Sequence, residues 1–275
     1  MTKFGVIADV HGNLPALEAV IAKLEQRGVE RYLVAGDLVG YGPHPNECVR
    51  IVDDLDATVV AGNHELILAG ALPEGPIHPQ ARQTLQWTRA ALDDRSRAIL
   101  ARLPRTVALP DGIVLTHASL TGPTLYVRTT AQAANEFKLL AAHYPDARVL
   151  IVGHTHRRAA WSMGEGRLRP ASGKTLSLDA LGPHLLNPGS VGQSRGLRPL
   201  AQAAILDVRA GTVEFLSVDY PKAGLRRDLA RAGLPTRTYH MIPWAPTHWN
   251  LGVVAALRDR MHWRSGSATH DSSDR

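Results

Sequence analysis

Eight residues of this chain have side chains suited to holding cations and moving protons, and they follow short apolar runs: Asp9, His11, Asp37, Asn63, His64, His117, His154 and His156. Five of the thirteen histidines fall in this set. An Asp and a His two residues apart can converge on one cation, whereas a buried, unpaired aspartate is costly. Asp, Asn and His donors without cysteine suit divalent transition ions. Seven such donors suffice for two ions held about 3.5–4 Å apart if one carboxylate is shared. The single Cys48 excludes both an internal disulfide and a cysteine-based zinc site, and fits a reducing compartment.

Strand ends must deliver these side chains. Phe4–Ala8 is an apolar run suited to a strand covered on both faces. Asp9 and His11 then emerge at its C-terminal end, where open α/β sheets place their ligands. Gly12 permits tight backbone there, and Asn13 can cap the helix that follows. From Leu14 to Arg27, the residues Leu17, Val20, Ile21 and Leu24 share one helical face, and Gly28 ends the run. Arg31–Ala35 predicts a second strand ending at Gly36-Asp37, Asn46–Asp53 a helix, and Ala57–Ala61 a third strand running into Gly62-Asn63-His64-Glu65. His78 to Leu103 is helical by pattern, closed by Pro104. Ile113–Leu115 is a strand that delivers His117, Ala131–His143 a helix, and Val149–Val152 a strand that delivers Gly153-His154-Thr155-His156. Beyond Arg157, the runs Leu176–Leu178, Leu185–Leu186, Ala203–Val208 and Val213–Val218 predict mainly antiparallel strands. An α/β first half followed by a β-rich, α+β-like second half implies two stacked sheets with helices outside.

The length of 275 residues, 44% of them apolar, suits one large domain with an appendage. The domain is expected over residues 1–220. An extension over 221–263, opening on a basic helix from Lys222 to Ala232 and holding three of the five tryptophans, is expected to pack on the domain or on a partner chain. Residues 264–275 read as a disordered tail. No apolar run approaches ~20 residues and the first strand has no signal peptide ahead of it, so a cytoplasmic protein with no membrane partner is expected. The net charge of +6 is spread over scattered arginines, which favours a solvated surface over nucleic-acid binding while leaving the latter open. Homo-oligomerisation is left open as well.

The ordered motifs Asp9-Val10-His11, Gly36-Asp37, Gly62-Asn63-His64-Glu65, His117 and Gly153-His154-Thr155-His156 resemble those of the calcineurin-like metallophosphoesterases. The similarity is nearest to the small bacterial and archaeal phosphodiesterase branch, which shows an Asn-Pro-Gly-Ser like that at Asn187–Ser190. The resemblance implies a four-layer αββα sandwich and two divalent metal ions, with manganese expected and iron, zinc or nickel also suited. It implies that Asp9, His11 and His156 hold one ion, that Asn63, His117 and His154 hold the other, and that Asp37 bridges both. A hydroxide shared by the ions would be the nucleophile. His64 would protonate the leaving oxygen or steady the phosphate, with Glu65 orienting it. Asn13, Tyr41, Asn187 and Ser190 would contact substrate at the rim. Ala118 departs from the family pattern, in which a glycine often follows the fourth motif's histidine.

Tyr41 also bears on the substrate. In the protein-phosphatase branch that this resembles, Asp-Arg stands where Gly40-Tyr41 stands here, and the guanidinium grips a dianionic monoester through two oxygens, which a tyrosine cannot do. A phosphodiesterase acting on a small phosphoester, nucleotides included, is therefore expected. The alternatives are a phosphomonoesterase or protein phosphatase in which Arg195 supplies the clamp, and a non-catalytic scaffold of the same fold. An amidohydrolase barrel would instead open with His-x-His and continue through eight βα repeats.

Overall fold

Side chains alternate along the central strands, and that alternation builds the layers. The structure, a computed structural model, describes residues 3–75, 77–164, 166–178 and 182–241. Its first half runs β1 (Lys3–Ile7), α1 (Leu14–Glu25), β2 (Arg31–Val34), α2 (Pro45–Asp54), β3 (Thr58–Val59), α3 (Asn63–Leu68), α4 (Pro79–Ala91) and α5 (Asp94–Ala101). There follow β4 (Thr106–Leu109), β5 (Ile113–Thr116), α6 (Thr130–His143), β6 (Val149–Ile151), β7 (Ala159–Gly164) and β8 (Arg167–Pro170). The chain continues through β9 (Thr175–Ser177), β10 (His184–Asn187), β11 (Ala201–Asp207), β12 (Thr212–Val218) and α7 (Lys222–Arg231).

Two six-stranded mixed sheets result, ordered β3-β2-β1-β11-β12-β9 and β4-β5-β6-β10-β7-β8. Strands β1, β2 and β3 are parallel, and β1 pairs antiparallel with β11, placing Val6 opposite Ala204. Phe4 and Val6 of β1 face Ile113 and Leu115 of β5 and Ile151 of β6 across the space between the sheets. Ile7, on the other face, packs with Leu17, Val20 and Leu24 of α1. On the far side of the second sheet, Val114 and Leu150 meet Ala133, Phe137 and Leu140 of α6. The layers are therefore helix, sheet, sheet, helix, the four-layer sandwich expected.

Local chemistry sets the helix ends. The Asn13 side chain accepts from the Ala16 N–H at the start of α1, and Thr129 and Gln132 form a reciprocal capping box on α6. The helical stretch expected over residues 78–103 is two helices. Leu92 turns extended and the Asp93 carboxylate accepts from the Ser96 N–H at 2.8 Å, so the chain restarts with a new cap instead of continuing. Strands β4, β7 and β8 and the short α3 were not foreseen, and β10 pairs parallel with β6 in a region expected to be mainly antiparallel. Polar residues at alternate positions of β8 leave it without an apolar run to reveal it.

Beyond residue 220, α7 and the segment after it add Leu225, Leu229, Leu234 and Tyr239 to the core that covers the first sheet. The Trp-rich remainder through Trp263 and the tail 264–275 lie outside the described residues. Among the described residues no helix is long and apolar enough to cross a membrane.

Leu115 is fully buried between the sheets, on the strand that leads to His117. Leu115→Ala should lower unfolding stability by about 2–5 kcal/mol in denaturant titration. Arg167→Ala on exposed β8 should change it by less than about 0.5 kcal/mol.

Candidate metal centre

At the ends of β1, β2 and β6 the chain takes left-handed backbone at residues other than glycine. Asp9, His11, Asp37, Tyr41, His154 and His156 all have φ between 52° and 64°. Hydrogen bonds between the loops hold these conformations: Asp9 N–H donates to Gly36 O at 3.0 Å, His11 N–H to Asp37 O at 2.9 Å, and His154 N–H to the Asp9 carboxylate at 3.1 Å. The loops also pack too closely for some side chains. A Cβ on Gly62 would stand 2.1 Å from Asp37 Oδ1, and one on Gly40 would stand 2.1 Å from the His64 ring.

Two groups of donors form there, Asp9, His11, Asp37 and His156 in one and Asp37, His117 and His154 in the other, each with its donor atoms within 4.8 Å of one another. Backbone carbonyls fix the tautomers. Nδ1 of His11 donates to Val39 O at 3.0 Å and Nδ1 of His156 to Gln193 O at 2.9 Å, so both Nε2 atoms carry lone pairs, yet they face each other at 3.1 Å. His117 donates from Nδ1 to Ala35 O at 2.7 Å, and His154 from Nε2 to Thr124 O at 3.1 Å. The free His117 Nε2 then lies 3.2 Å from His154 Nδ1, 3.1 Å from Asn63 Oδ1 and 3.3 Å from Asp37 Oδ2. Asp37 Oδ2 is also 3.7 Å from His11 Nε2, so this carboxylate touches both groups. Asp9 Oδ2 is buried with no hydrogen-bond partner. Acceptors converging in this way repel one another unless cations sit among them, and the residues present fit divalent ions.

The protonation energetics agree. Burial raises Asp9 to about 8, above any effect of its neighbours, and lowers His11 and His154 to about 3. Burial also drives His156 well down, and the Arg195 charge acts in the same direction on all three histidines. His117 is the exception. Burial lowers it, but the Asp37 carboxylate, helped by Asp9 and the hydrogen bond to Ala35 O, raises it to about 10, as expected where negative charge is held without a cation beside it.

The other residues singled out from the sequence have varied surroundings. His64 is buried, its Nε2 3.9 Å from Asp37 Oδ2 and its Nδ1 without a partner. The Glu65 carboxylate does not reach that ring; it accepts from the backbone N–H groups of Asp37, Val39 and Gly62 at 2.8, 3.2 and 2.7 Å. Tyr41 meets the His11 ring edge-on at 4.8 Å, and burial raises its hydroxyl to about 12. Asn13, besides capping α1, donates to Gly192 O at 2.8 Å and to the Tyr220 hydroxyl at 3.3 Å. Asn187 donates to Gly153 O at 2.6 Å and Ser190 to Asp9 O at 2.9 Å, so both tie down the loops that carry the donors. Arg195 contacts Gln193 Oε1 at 3.3 Å, beside the carbonyl that holds His156. Ala118 is buried and tolerated behind His117. Tyr126 was not foreseen; it stacks on His154 at 4.3 Å, with Arg128 3.4 Å from its far face. It sits in an irregular loop far from any strand end, and only its aromatic character could have marked it.

A two-sheet sandwich carrying clustered Asp and His donors at its strand ends is the architecture of a metal-dependent phosphoester hydrolase. The chain belongs to the calcineurin-like phosphoesterase superfamily, whose domain model matches residues 2–211. A metallophosphoesterase from Sphaerobacter thermophilus superposes with a TM-score of 0.73 at 32% identity, covering 86% of this chain and 97% of that one. An uncharacterised protein of Methanocaldococcus jannaschii is 31% identical over 218 residues, 78% of this chain and 86% of the relative. The phosphodiesterase YfcE of Escherichia coli is 26% identical over 175 residues, 60% of this chain and 75% of the relative.

Three backbone donors depend on one buried carboxylate, so Glu65→Ala should cost at least about 2 kcal/mol in denaturant unfolding. It should also lower the metal content of the purified protein by elemental analysis. Wild-type metal content in a destabilised variant would show that the donor set assembles without this brace.

Proposed function

We propose that this chain is a dinuclear phosphodiesterase that hydrolyses a P–O bond of a small phosphodiester in the cytoplasm, with manganese the expected metal. The observation that carries the reading is the pair of imidazole nitrogens that face each other on each side of Asp37. Asp9, His11 and His156 would hold one ion, Asn63, His117 and His154 the other, and Asp37 both. Bound divalent ions supply Lewis acidity and a water acidified towards neutral pH.

The protein supplies the rest. His64 presents Nε2 towards the donor cluster, from where it would give a proton to the leaving oxygen as the P–O bond breaks. Tyr41 closes the same side with an aromatic face and no cation, which suits the single charge of a diester. The name of the relative YfcE, a phosphodiesterase, supports the same class. A second reading, phosphomonoesterase, is favoured by Arg195, whose charge acts on Asp9, His11 and His64 and could offset the second charge of a monoester. A complete donor set with His64 beside it speaks against a non-catalytic scaffold.

On this reading kcat/KM for bis(p-nitrophenyl) phosphate exceeds that for p-nitrophenyl phosphate and for a phosphopeptide. Higher efficiency on the monoesters, lost in Arg195→Ala, would replace the diesterase reading with the second one. His64→Ala should keep its metal yet lose turnover, with a greater loss for alkoxide leaving groups than for p-nitrophenolate, which needs little protonation. Equal losses across a leaving-group series would remove His64 from the acid role.

A further inference from the structure

Gln193 is fully buried beside the donor cluster, and the reading above gives its side chain no role. Its backbone carbonyl accepts from His156 Nδ1 at 2.9 Å, the bond that leaves His156 Nε2 facing His11. Its backbone N–H donates to the Ser190 hydroxyl at 2.8 Å, and that hydroxyl donates to Asp9 O at 2.9 Å. The side chain reaches a different part of the chain: Nε2 donates to Thr238 O at 2.9 Å, and Oε1 accepts from an Arg195 N–H at 3.3 Å. A guanidinium only donates and a carbonyl only accepts, so this amide has one workable orientation. An ionised glutamate could not donate to Thr238 O, and neither could methionine, whose side chain is of similar length.

Thr238 lies beyond residue 211, where the match to the family domain ends. Its neighbours run along the same loop as Gln193. Ser194 N–H donates to Tyr239 O at 3.0 Å, Met241 N–H to Ser194 O at 3.0 Å, and His240 Nε2 to Gly196 O at 3.0 Å. Helix α7 holds this segment in turn, since the Arg226 guanidinium donates to the Tyr239 hydroxyl at 2.6 Å. The acceptor that orients His156 therefore sits between two ties, one to Asp9 and one to residues 237–241.

We infer that Gln193 is a positioning residue for the metal donor His156, and that through its amide residues 237–241, outside the family domain, set how tightly the ion held by Asp9, His11 and His156 is bound. The inference rests on the dinuclear reading for the ligand role of His156. The partner of a metal-binding imidazole fixes its ring orientation, and disturbing such a partner typically costs about 10–100-fold in metal affinity. Without the amide, Ser194 still links the loop to the C-terminal segment, so the loop stays folded while the carbonyl facing His156 loses one of its two ties. Coupling of this kind is reciprocal: an ion at His156 must in turn steady residues 237–241.

Calorimetric titration of the metal-free, full-length protein with Mn²⁺ tests the first half. Gln193→Met and Gln193→Glu should each weaken one of two ions by about 10–100-fold and leave the other at its wild-type affinity. The weakened ion should be the one lost in His156→Ala. Hydrogen exchange read by mass spectrometry tests the second half without any variant: Mn²⁺ added to the wild type should slow exchange in residues 237–241 and not in the exposed edge strand β8. A lowered melting temperature with both affinities unchanged in the two variants, or exchange in residues 237–241 indifferent to Mn²⁺, overturns the coupling. A wild type that binds a single ion, with exchange still responding to it, rejects the dinuclear reading and keeps the coupling. Two ions bound, with neither the variants nor the exchange responding, rejects the coupling and keeps the dinuclear reading.

Discussion

Two carboxylates, Asp9 and Asp37, are held out of water among five imidazoles, and the surrounding structure is arranged to bear that cost. Left alone, a buried aspartate takes a proton, and burial raises Asp9 far towards doing so. The fold answers with geometry. Six residues around the cluster accept left-handed backbone, at about 1–3 kcal/mol each. Asp56 is the only other non-glycine residue in that conformation among the described residues, so the strain is concentrated at the site. It persists because both sheets end there and their loops hydrogen-bond to each other: Gly153 N–H donates to His117 O, Val191 N–H to Ala8 O, and Gly192 N–H to Asp9 O. Donor positions are therefore set by backbone that cannot relax one loop at a time.

How much of this was legible in the sequence differs by layer. The donor side chains stood out because apolar strands must end somewhere, and Asp9, Asp37, His117 and His154 stand where four of them do. The stacked sheets followed from βα units giving way to short apolar runs. What escaped notice was supported by contacts distant in sequence. The resemblance implies that Glu65 orients His64, whereas its carboxylate is drawn to backbone donors at Asp37 and Val39, 28 and 26 residues away. Asn13, Asn187 and Ser190 carried the polar types of substrate contacts, and the structure uses their hydrogen-bonding groups within the protein: Asn13 on Gly192, Asn187 on Gly153 and Ser190 on Asp9. No periodicity marks a polar side chain that braces a loop. The break at Leu92-Asp93 was hidden because apolar spacing runs across it, and only the Asp93 cap separates the two helices.

The pairing of β1 has a consequence for how the protein is made. Its hydrogen bonds are shared between β2, completed soon after it in the chain, and β11, which begins at Ala201. A chain leaving the ribosome at about 5–20 residues per second brings those two neighbours out roughly 8–33 s apart. During that interval the first strand has an open edge and a string of apolar residues without a partner sheet, the condition that favours mispairing between nascent chains. Asp9 waits on the same event, since Ser190 and Gly192 secure its carbonyl only when the C-terminal half arrives. A chain cut short before β11 would carry its candidate donors but no frame to hold them.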